Sequence, residues 1–203
     1  MPFSDTASAA RLVVELNDLI QLDLDAVHAY TVAIAQVSDR LVGETLERFR
    51  ADHERHVRTL SEFVRAVGGR PAMLPHLPTG LLKLIVQAVG AFGGTRGVLL
   101  ALQANEAQAR EKYARHAATH FAMASGSDDR PAEITAALER HAADERAHYS
   151  WVSDVLAAMG AGPGTMVGTA AQAFGAMHGA NADAIEAAQR AGAAMLDRAW
   201  RIL

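Results

Sequence analysis

A five-residue motif at positions 144–148, with the sequence DERAH, constrains this chain more than any other feature. It lies within residues 132–159, a run without proline or glycine that predicts one long helix. Residues three positions apart lie on the same face of a helix, so Glu145 and His148 would project side by side. A carboxylate beside an imidazole can chelate a metal ion, and the motif therefore predicts a metal site on this helix.

Both halves of the chain repeat one order of polar residues. An acid is followed seven residues later by a tyrosine on the same helix face, and the next helix carries an aspartate four residues before a histidine. The members are Asp23, Tyr30, Asp52 and His56 in the first half, and Glu106, Tyr113, Asp144 and His148 in the second. Because the two sets match in the same order, we predict a metal site inside a bundle of helices.

The fold class predicted from the sequence is all-α. Alanine is abundant, and three of the six prolines fall between residues 71 and 78. Apolar residues at helical spacing predict four long helices, over about 8–37, 44–67, 95–124 and 132–159. The proline-rich and then apolar segment at 71–92 would be a long crossover between two antiparallel hairpins, which gives a four-helix bundle.

The chain divides into two predicted parts. Residues 1–160 form the bundle, and a glycine-rich break introduces a C-terminal helical extension at 161–203. We expect the extension to pack on the bundle, with packing on a partner subunit as the alternative. A homodimer is the expected assembly.

Composition excludes several classes of protein. The net charge is −4 with basic and acidic residues interspersed, so we expect no nucleic-acid partner. There is no cysteine, which excludes disulfides and thiolate ligands, and any metal must be held by nitrogen and oxygen atoms. The first residues lack a basic region followed by an apolar run, so we expect a cytoplasmic protein.

The most apolar region, residues 81–104, is interrupted by charged residues and glycines. Lys83, Arg96 and the pair Gly93-Gly94 argue against a helix that spans a membrane. The sequence of this segment is still compatible with contact with a membrane surface.

The repeated motif resembles the ferritin-like di-iron carboxylate superfamily, with a core similar to those of rubrerythrin and bacterioferritin, over residues 12–159. In such bundles two helices each supply a Glu-x-x-His pair and the other two each supply a carboxylate. A more local likeness, a Gly-Arg-Pro turn, an apolar crossover and then Glu and Tyr, is to demethoxyubiquinone hydroxylase, a membrane-surface quinone hydroxylase of the same superfamily. The resemblance implies these metal ligands: Asp23, His56, Glu106, Glu145 and His148.

One ligand position departs from the family pattern. Where the family has a bridging glutamate, this chain has His53, which leaves three carboxylates and three imidazoles. A neutral imidazole cannot bridge two metal ions as a carboxylate does. We expect a dinuclear iron site bridged by Glu145 and solvent, and a mononuclear iron, manganese or zinc site is the alternative.

Other polar residues have expected roles near these ligands. The resemblance implies that Asp52 and Asp144 each hydrogen-bond a ligand imidazole from the opposite hairpin. Tyr30 and Tyr113 are the candidate catalytic residues, with hydroxyls placed to donate to ligand carboxylates, and ordinary core tyrosines are the alternative. His141 lies one turn before Glu145, and its two possible roles are an extra metal ligand and a histidine of the helix surface or the core. We expect Asp25 and His28, which lie off the ligand face, to be solvated.

Three functions are compatible with the sequence. The first is a di-metal oxidoreductase in which O2 or peroxide oxidises iron or a small apolar substrate. The second is a non-enzymatic metal-binding or stress protein that sequesters iron. The third is a metal-free bundle, which we rank last because it would bury several acids and histidines without a metal ion to pair them.

Overall fold

The computed structural model describes residues 6–76, 94–123 and 129–161 of the chain. Four helices account for almost all of these residues: α1 (Thr6–Gln36), α2 (Arg40–Ala66), α3 (Gly94–Met123) and α4 (Asp129–Ala158). The described ranges contain no β-strand. The all-α class predicted from the sequence is therefore confirmed.

The helices pack as two hairpins that lie against each other. The most extensive contacts join α1 to α2 and α3 to α4, and smaller ones join α1 to α3 and α2 to α4. Two apolar clusters fill the bundle, one around Leu16, Leu60 and Leu138 and the other around Leu46 and Leu102. The predicted ligands fall between these clusters on every helix, which places the polar residues midway along the bundle.

Helix α2 begins earlier than the sequence indicated. The side chain of Asp39 accepts hydrogen bonds from the backbone N–H groups of Leu41 and Val42, so it caps the helix there. Gly43, just outside the predicted range of 44–67, lies inside the first turns of the helix. At the other end, Gly68 adopts a φ of 82°, and this left-handed residue ends the helix where the sequence predicted.

The segment after α2 is bound along one face of α1. Asn17 donates to the carbonyl of Arg70 at 3.0 Å and accepts from the backbone N–H of Ala72 at 2.7 Å. Gln21, one turn further on, donates to the carbonyl of Leu74 at 3.3 Å. These contacts tie the start of the crossover to the first hairpin.

Asp25 continues this row of α1 side chains. It accepts from the backbone N–H of His76 at 3.1 Å, and His76 also lies against Asp18, whose second oxygen is 3.1 Å from Lys112 Nζ. Asp25 is therefore buried, and the expectation that it is solvated was wrong. His28 is exposed, as predicted.

Some predictions lie outside the described residues. They concern the crossover from residue 77 onward and the extension from residue 162, so the division into two parts stays a prediction. Among the helices that the structure describes, none combines the length and the apolar character needed to cross a membrane.

Candidate metal centre

Six buried side chains meet in the middle of the bundle, and each helix contributes at least one. Every one of them is at most 1% exposed. Their donor atoms form two groups, and within each group all atoms lie within 4.8 Å of one another. The first group is Asp23, His53, His56 and Glu145, and the second is His53, Glu106, Glu145 and His148. The structure thus brings together all six residues that the sequence nominated as ligands.

His53 and Glu145 belong to both groups and lie between them. His53 Nδ1 is 2.9 Å from Asp23 Oδ1, and its Nε2 is 3.8 Å from Glu106 Oε1 on the other side. Glu145 Oε1 lies 3.5 Å from His53 Nδ1. The imidazole therefore presents one nitrogen to each group, in the place between them that a bridging ligand would take.

The two tyrosines hold the carboxylates of α1 and α3 in a crossed arrangement. Tyr30 on α1 donates to Glu106 Oε1 on α3 at 2.8 Å, and Tyr113 on α3 donates to Asp23 Oδ2 on α1 at 2.5 Å. Both tyrosines are fully buried, and burial raises the pKa of each phenol well above its usual value. Each hydroxyl therefore stays protonated and fixes one oxygen of a carboxylate.

The aspartates that precede the ligand pairs hold the histidines, again across the two hairpins. His56 Nε2 lies 3.1 Å from Asp144 Oδ2, and His148 Nε2 lies 3.1 Å from Asp52 Oδ2. An imidazole N–H that donates to a carboxylate leaves the other ring nitrogen free to act as a ligand. Both histidines consequently direct Nδ1 toward the centre.

Sequence reasoning missed Arg55, which joins these two aspartates. Its guanidinium donates to Asp52 Oδ1 at 2.5 Å and to Asp144 Oδ2 at 3.0 Å. The signal available in the sequence was the spacing of Asp52 and Arg55, three residues apart on one helix. Arg55 closes a chain of hydrogen bonds that runs from His56 through both aspartates to His148.

Six atoms that face the centre have no hydrogen-bond partner among the described residues, whereas Asp23 Oδ1 and His53 Nδ1 pair with each other. The six atoms are His53 Nε2, His56 Nδ1, His148 Nδ1, Glu106 Oε2 and both carboxylate oxygens of Glu145. Buried polar atoms are nearly always paired, so a cluster of unpaired ones calls for a ligand. Nitrogen and oxygen donors that converge in this way fit one or two divalent metal ions.

In the metal-free centre, burial and neighbouring charged groups shift the pKa values of the ligand side chains. Burial raises the pKa of the Asp23 carboxyl, but the hydrogen bond with His53 and the nearby His56 imidazole outweigh it and hold that pKa well below its usual range. Burial lowers the pKa of His56, but the hydrogen bond with Asp144 and the nearby Asp23 carboxylate raise it to about 10 overall. Burial raises the pKa of Glu145. Protonated imidazoles thus balance the carboxylates when no cation is bound.

His141 packs against the centre from one side. Its ring stacks on His56 with 3.9 Å between centroids, and it meets Tyr113 edge to face at 5.6 Å. It belongs to neither donor group found among the described residues. Burial and the nearby His56 lower the pKa of His141 to about 3, so it is a neutral packed ring at physiological pH.

The fold and the arrangement of this site define a ferritin-like helical bundle. A crystal structure described as "ferritin like, diiron-carboxylate proteins from Bacillus anthracis str. Ames" is similar over 75% of this chain and 99% of that chain, with a TM-score of 0.60 and 20% identity. At that identity the similarity shows the fold, and the predicted ferritin-like bundle is confirmed.

A family profile also matches this chain. The family described as "Domain of unknown function (DUF2383)" matches residues 11–119, more than half of the sequence, and the chain belongs to this family. No curated protein matches the chain. The closer likenesses to rubrerythrin, bacterioferritin and demethoxyubiquinone hydroxylase stay predictions.

Proposed function

We propose that this protein binds two metal ions, iron above all, in the centre between its two hairpins, and that it is an oxidoreductase that reacts with O2 or peroxide. The observation that supports this most is the arrangement of three ligand side chains, Glu106, His56 and His148. One polar atom of each is held by a tyrosine or an aspartate of the other hairpin, and the second atom has no hydrogen-bond partner among the described residues.

The two donor groups suggest how the ligands divide. Asp23 and His56 belong to one group, Glu106 and His148 belong to the other, and Glu145 is shared. Three carboxylates offset three of the four positive charges of two divalent ions, and the imidazoles bind as neutral ligands. Bound iron would supply the electrons for reduction of O2 or peroxide.

The other residues position this ligand set. Tyr30 and Tyr113 keep Glu106 and Asp23 oriented, and Asp52 and Asp144 fix the ring orientation of His148 and His56. Such outer hydrogen bonds raise the basicity of an imidazole and commonly change metal affinity by about 10–100-fold.

A metal-free structural role is less compatible with this geometry. Each buried polar atom left unpaired costs about 1–3 kcal/mol, and several of them face one another here. A chain that used these residues only for packing would be expected to pair them with one another.

Metal content is the decisive measurement. We expect elemental analysis, after anaerobic loading with Fe(II) and removal of excess metal, to find close to two irons per chain. Exposure to O2 or peroxide should then produce a ferric absorption band. Two retained zinc or manganese ions without redox activity would support a non-enzymatic metal-binding protein, and no retained metal would contradict the proposal.

A pair of histidine variants tests the ligand set. His148→Ala should lose at least one of the two ions, because His148 belongs to the second donor group. His141→Ala should retain both, since that ring packs on His56 from outside the two groups. Equal losses in the two variants would contradict the assigned ligands.

A further inference from the structure

A small cavity lies in the seam between α1 and α3, directly beside the candidate metal centre. Its volume is about 10 Å³, counted as the space open to the centres of water molecules. A cavity of this size holds about one water molecule. It is lined by Leu22, Ala26, Ala29, Tyr30, Leu102, Asn105, Glu106 and Ala109.

The hydrogen-bonded pair Tyr30 and Glu106 forms one polar part of the cavity lining. Tyr30 donates to Glu106 Oε1, whereas Glu106 Oε2 has no partner among the described residues. A molecule in the cavity would therefore lie beside a carboxylate that also belongs to the second donor group. The remaining wall is formed by alanines and leucines, which offer no hydrogen bonds.

Asn105 is the second polar group, and its hydrogen-bonding capacity is unused. The side chain is 7% exposed, and neither its Oδ1 nor its Nδ2 has a partner among the described residues. A carboxamide both donates and accepts, so it suits a ligand with the same two capacities. An unpaired buried amide at a cavity of this size indicates a bound molecule.

We propose that the seam cavity binds one small neutral molecule that donates and accepts hydrogen bonds, water or hydrogen peroxide, and that Asn105 is the residue that recognises it. The Glu106 carboxylate disfavours anions there, and the volume excludes organic substrates of larger size. The part of this inference that concerns peroxide rests on the proposed function, whereas the binding of water does not.

The chain offers a matched control one turn along α3. Gln108 is 5% exposed, and both polar atoms of its carboxamide also lack partners among the described residues. It does not line the cavity. Asn105→Leu and Gln108→Met each remove one buried carboxamide at nearly constant size, and only the first should affect the site.

The first experiment uses the metal-free protein. We expect a nuclear Overhauser effect between bound water and the side-chain amide protons of Asn105, retained in Gln108→Met and lost when Ala29→Leu fills the cavity. If Ala29→Leu does not fold, as judged by circular dichroism, Ala26→Val serves instead. An effect that is absent from the wild-type protein, or that survives filling of the cavity, would overturn the proposed site.

The second experiment compares peroxides on protein loaded with Fe(II). Asn105→Leu should slow oxidation by hydrogen peroxide about tenfold, the factor expected for loss of one hydrogen bond. Its iron content should stay that of the wild type, and Gln108→Met should react within about twofold of the wild type. Oxidation by tert-butyl hydroperoxide, which the cavity excludes, should be much slower than by hydrogen peroxide in the wild type.

The outcomes separate the two proposals. Equal rates with both peroxides, or equal effects of the two carboxamide variants, would overturn the role of the cavity in peroxide binding while the redox function stands. Bound water beside Asn105 in a protein that reacts with neither peroxide nor O2 would overturn the redox function and leave a site for water alone.

Discussion

His53 is the residue that most distinguishes this centre. Its two nitrogens face different donor groups, 2.9 Å from Asp23 and 3.8 Å from Glu106. A neutral imidazole has only one lone pair for a metal ion, so it can bind an ion in only one of the two donor groups. The two halves of the centre are therefore unequal, and one ion should bind more tightly than the other.

Replacing His53 with glutamate should remove this inequality. His53→Glu adds a negative charge and a ligand with two oxygens, and ligand charge is a main determinant of metal affinity. We expect the weaker Fe(II) ion to bind at least about tenfold more tightly in anaerobic calorimetry. Glu54→Gln, an exposed change at the next residue, is the control. A weaker second ion in His53→Glu would show that a nitrogen of His53 is itself required.

The protonation of His141 predicts how the metal-free protein responds to acid. Its pKa is about 3 in the folded chain and about 6.5 in the unfolded chain, so only the unfolded state takes up this proton between those values. The stability associated with neutral His141 is complete above pH 6.5 and is lost as the pH falls. One proton corresponds to at most about 1.4 kcal/mol per pH unit.

His141→Phe should consequently weaken this pH dependence. Between pH 6 and pH 4, with chelator present, urea unfolding should show a smaller loss of stability for His141→Phe than for the wild type. His28→Ala changes an exposed histidine and is the control. If the phenylalanine variant loses as much stability as the wild type, the ring of His141 is protonated without cost in the folded state.

At the level of elements, one face of α1 holds the beginning of the crossover. Asn17, Gln21 and Asp25 recur every four residues and bind the backbone of residues 70–76. These bonds fix where the chain leaves the first hairpin.

Asn17→Ala should loosen this attachment. It removes two hydrogen bonds to backbone groups, each worth about 0.5–1.5 kcal/mol, so we expect a loss of about 1–3 kcal/mol in urea unfolding. The amide of Ala72 should exchange with solvent faster, whereas amides in the middle of α2 should not. Gln36→Ala, an exposed change on the same helix, should stay within about 0.5 kcal/mol. An unchanged Ala72 exchange rate would contradict the role of Asn17.

Local patterns were sufficient to predict the helices, and the repeated motif together with the ferritin-like resemblance indicated the residues that converge. Apolar spacing gave four helices with ends within a few residues of those observed, because this signal acts within one element. The burial of Asp25 could not be predicted in this way, since its partner His76 is 51 residues away. Arg55 was missed for the same reason, because its contact with Asp144 joins two hairpins.

For the whole molecule, the polar centre separates two apolar clusters in one continuous bundle. The metal-free protein keeps unpaired buried atoms in this centre, and a bound ion would pair them. Metal ions that bind only the folded state must therefore stabilise the entire chain.

This linkage gives a measurable shift in melting temperature. At free Fe(II) of about 100 times the dissociation constant, the folded state gains roughly 2.7 kcal/mol, which raises Tm by roughly 5–10 °C for a chain of this size. Anaerobic calorimetry should show the rise, and chelator should reverse it. His148→Ala should show a smaller rise or none, and an equal rise in that variant would place the stabilising ion elsewhere.

The crossed hydrogen bonds have a consequence for the origin of the centre. Tyr30 and Asp52 of the first hairpin hold ligands of the second, and Tyr113 and Asp144 do the reverse. Two copies of a single ancestral hairpin, paired about a twofold axis, could build the same arrangement without any crossover. Gene duplication and fusion would then free each half to diverge. His53 in one half and Glu145 in the other occupy the same position of the repeated motif, and there the two halves supply different ligand chemistry.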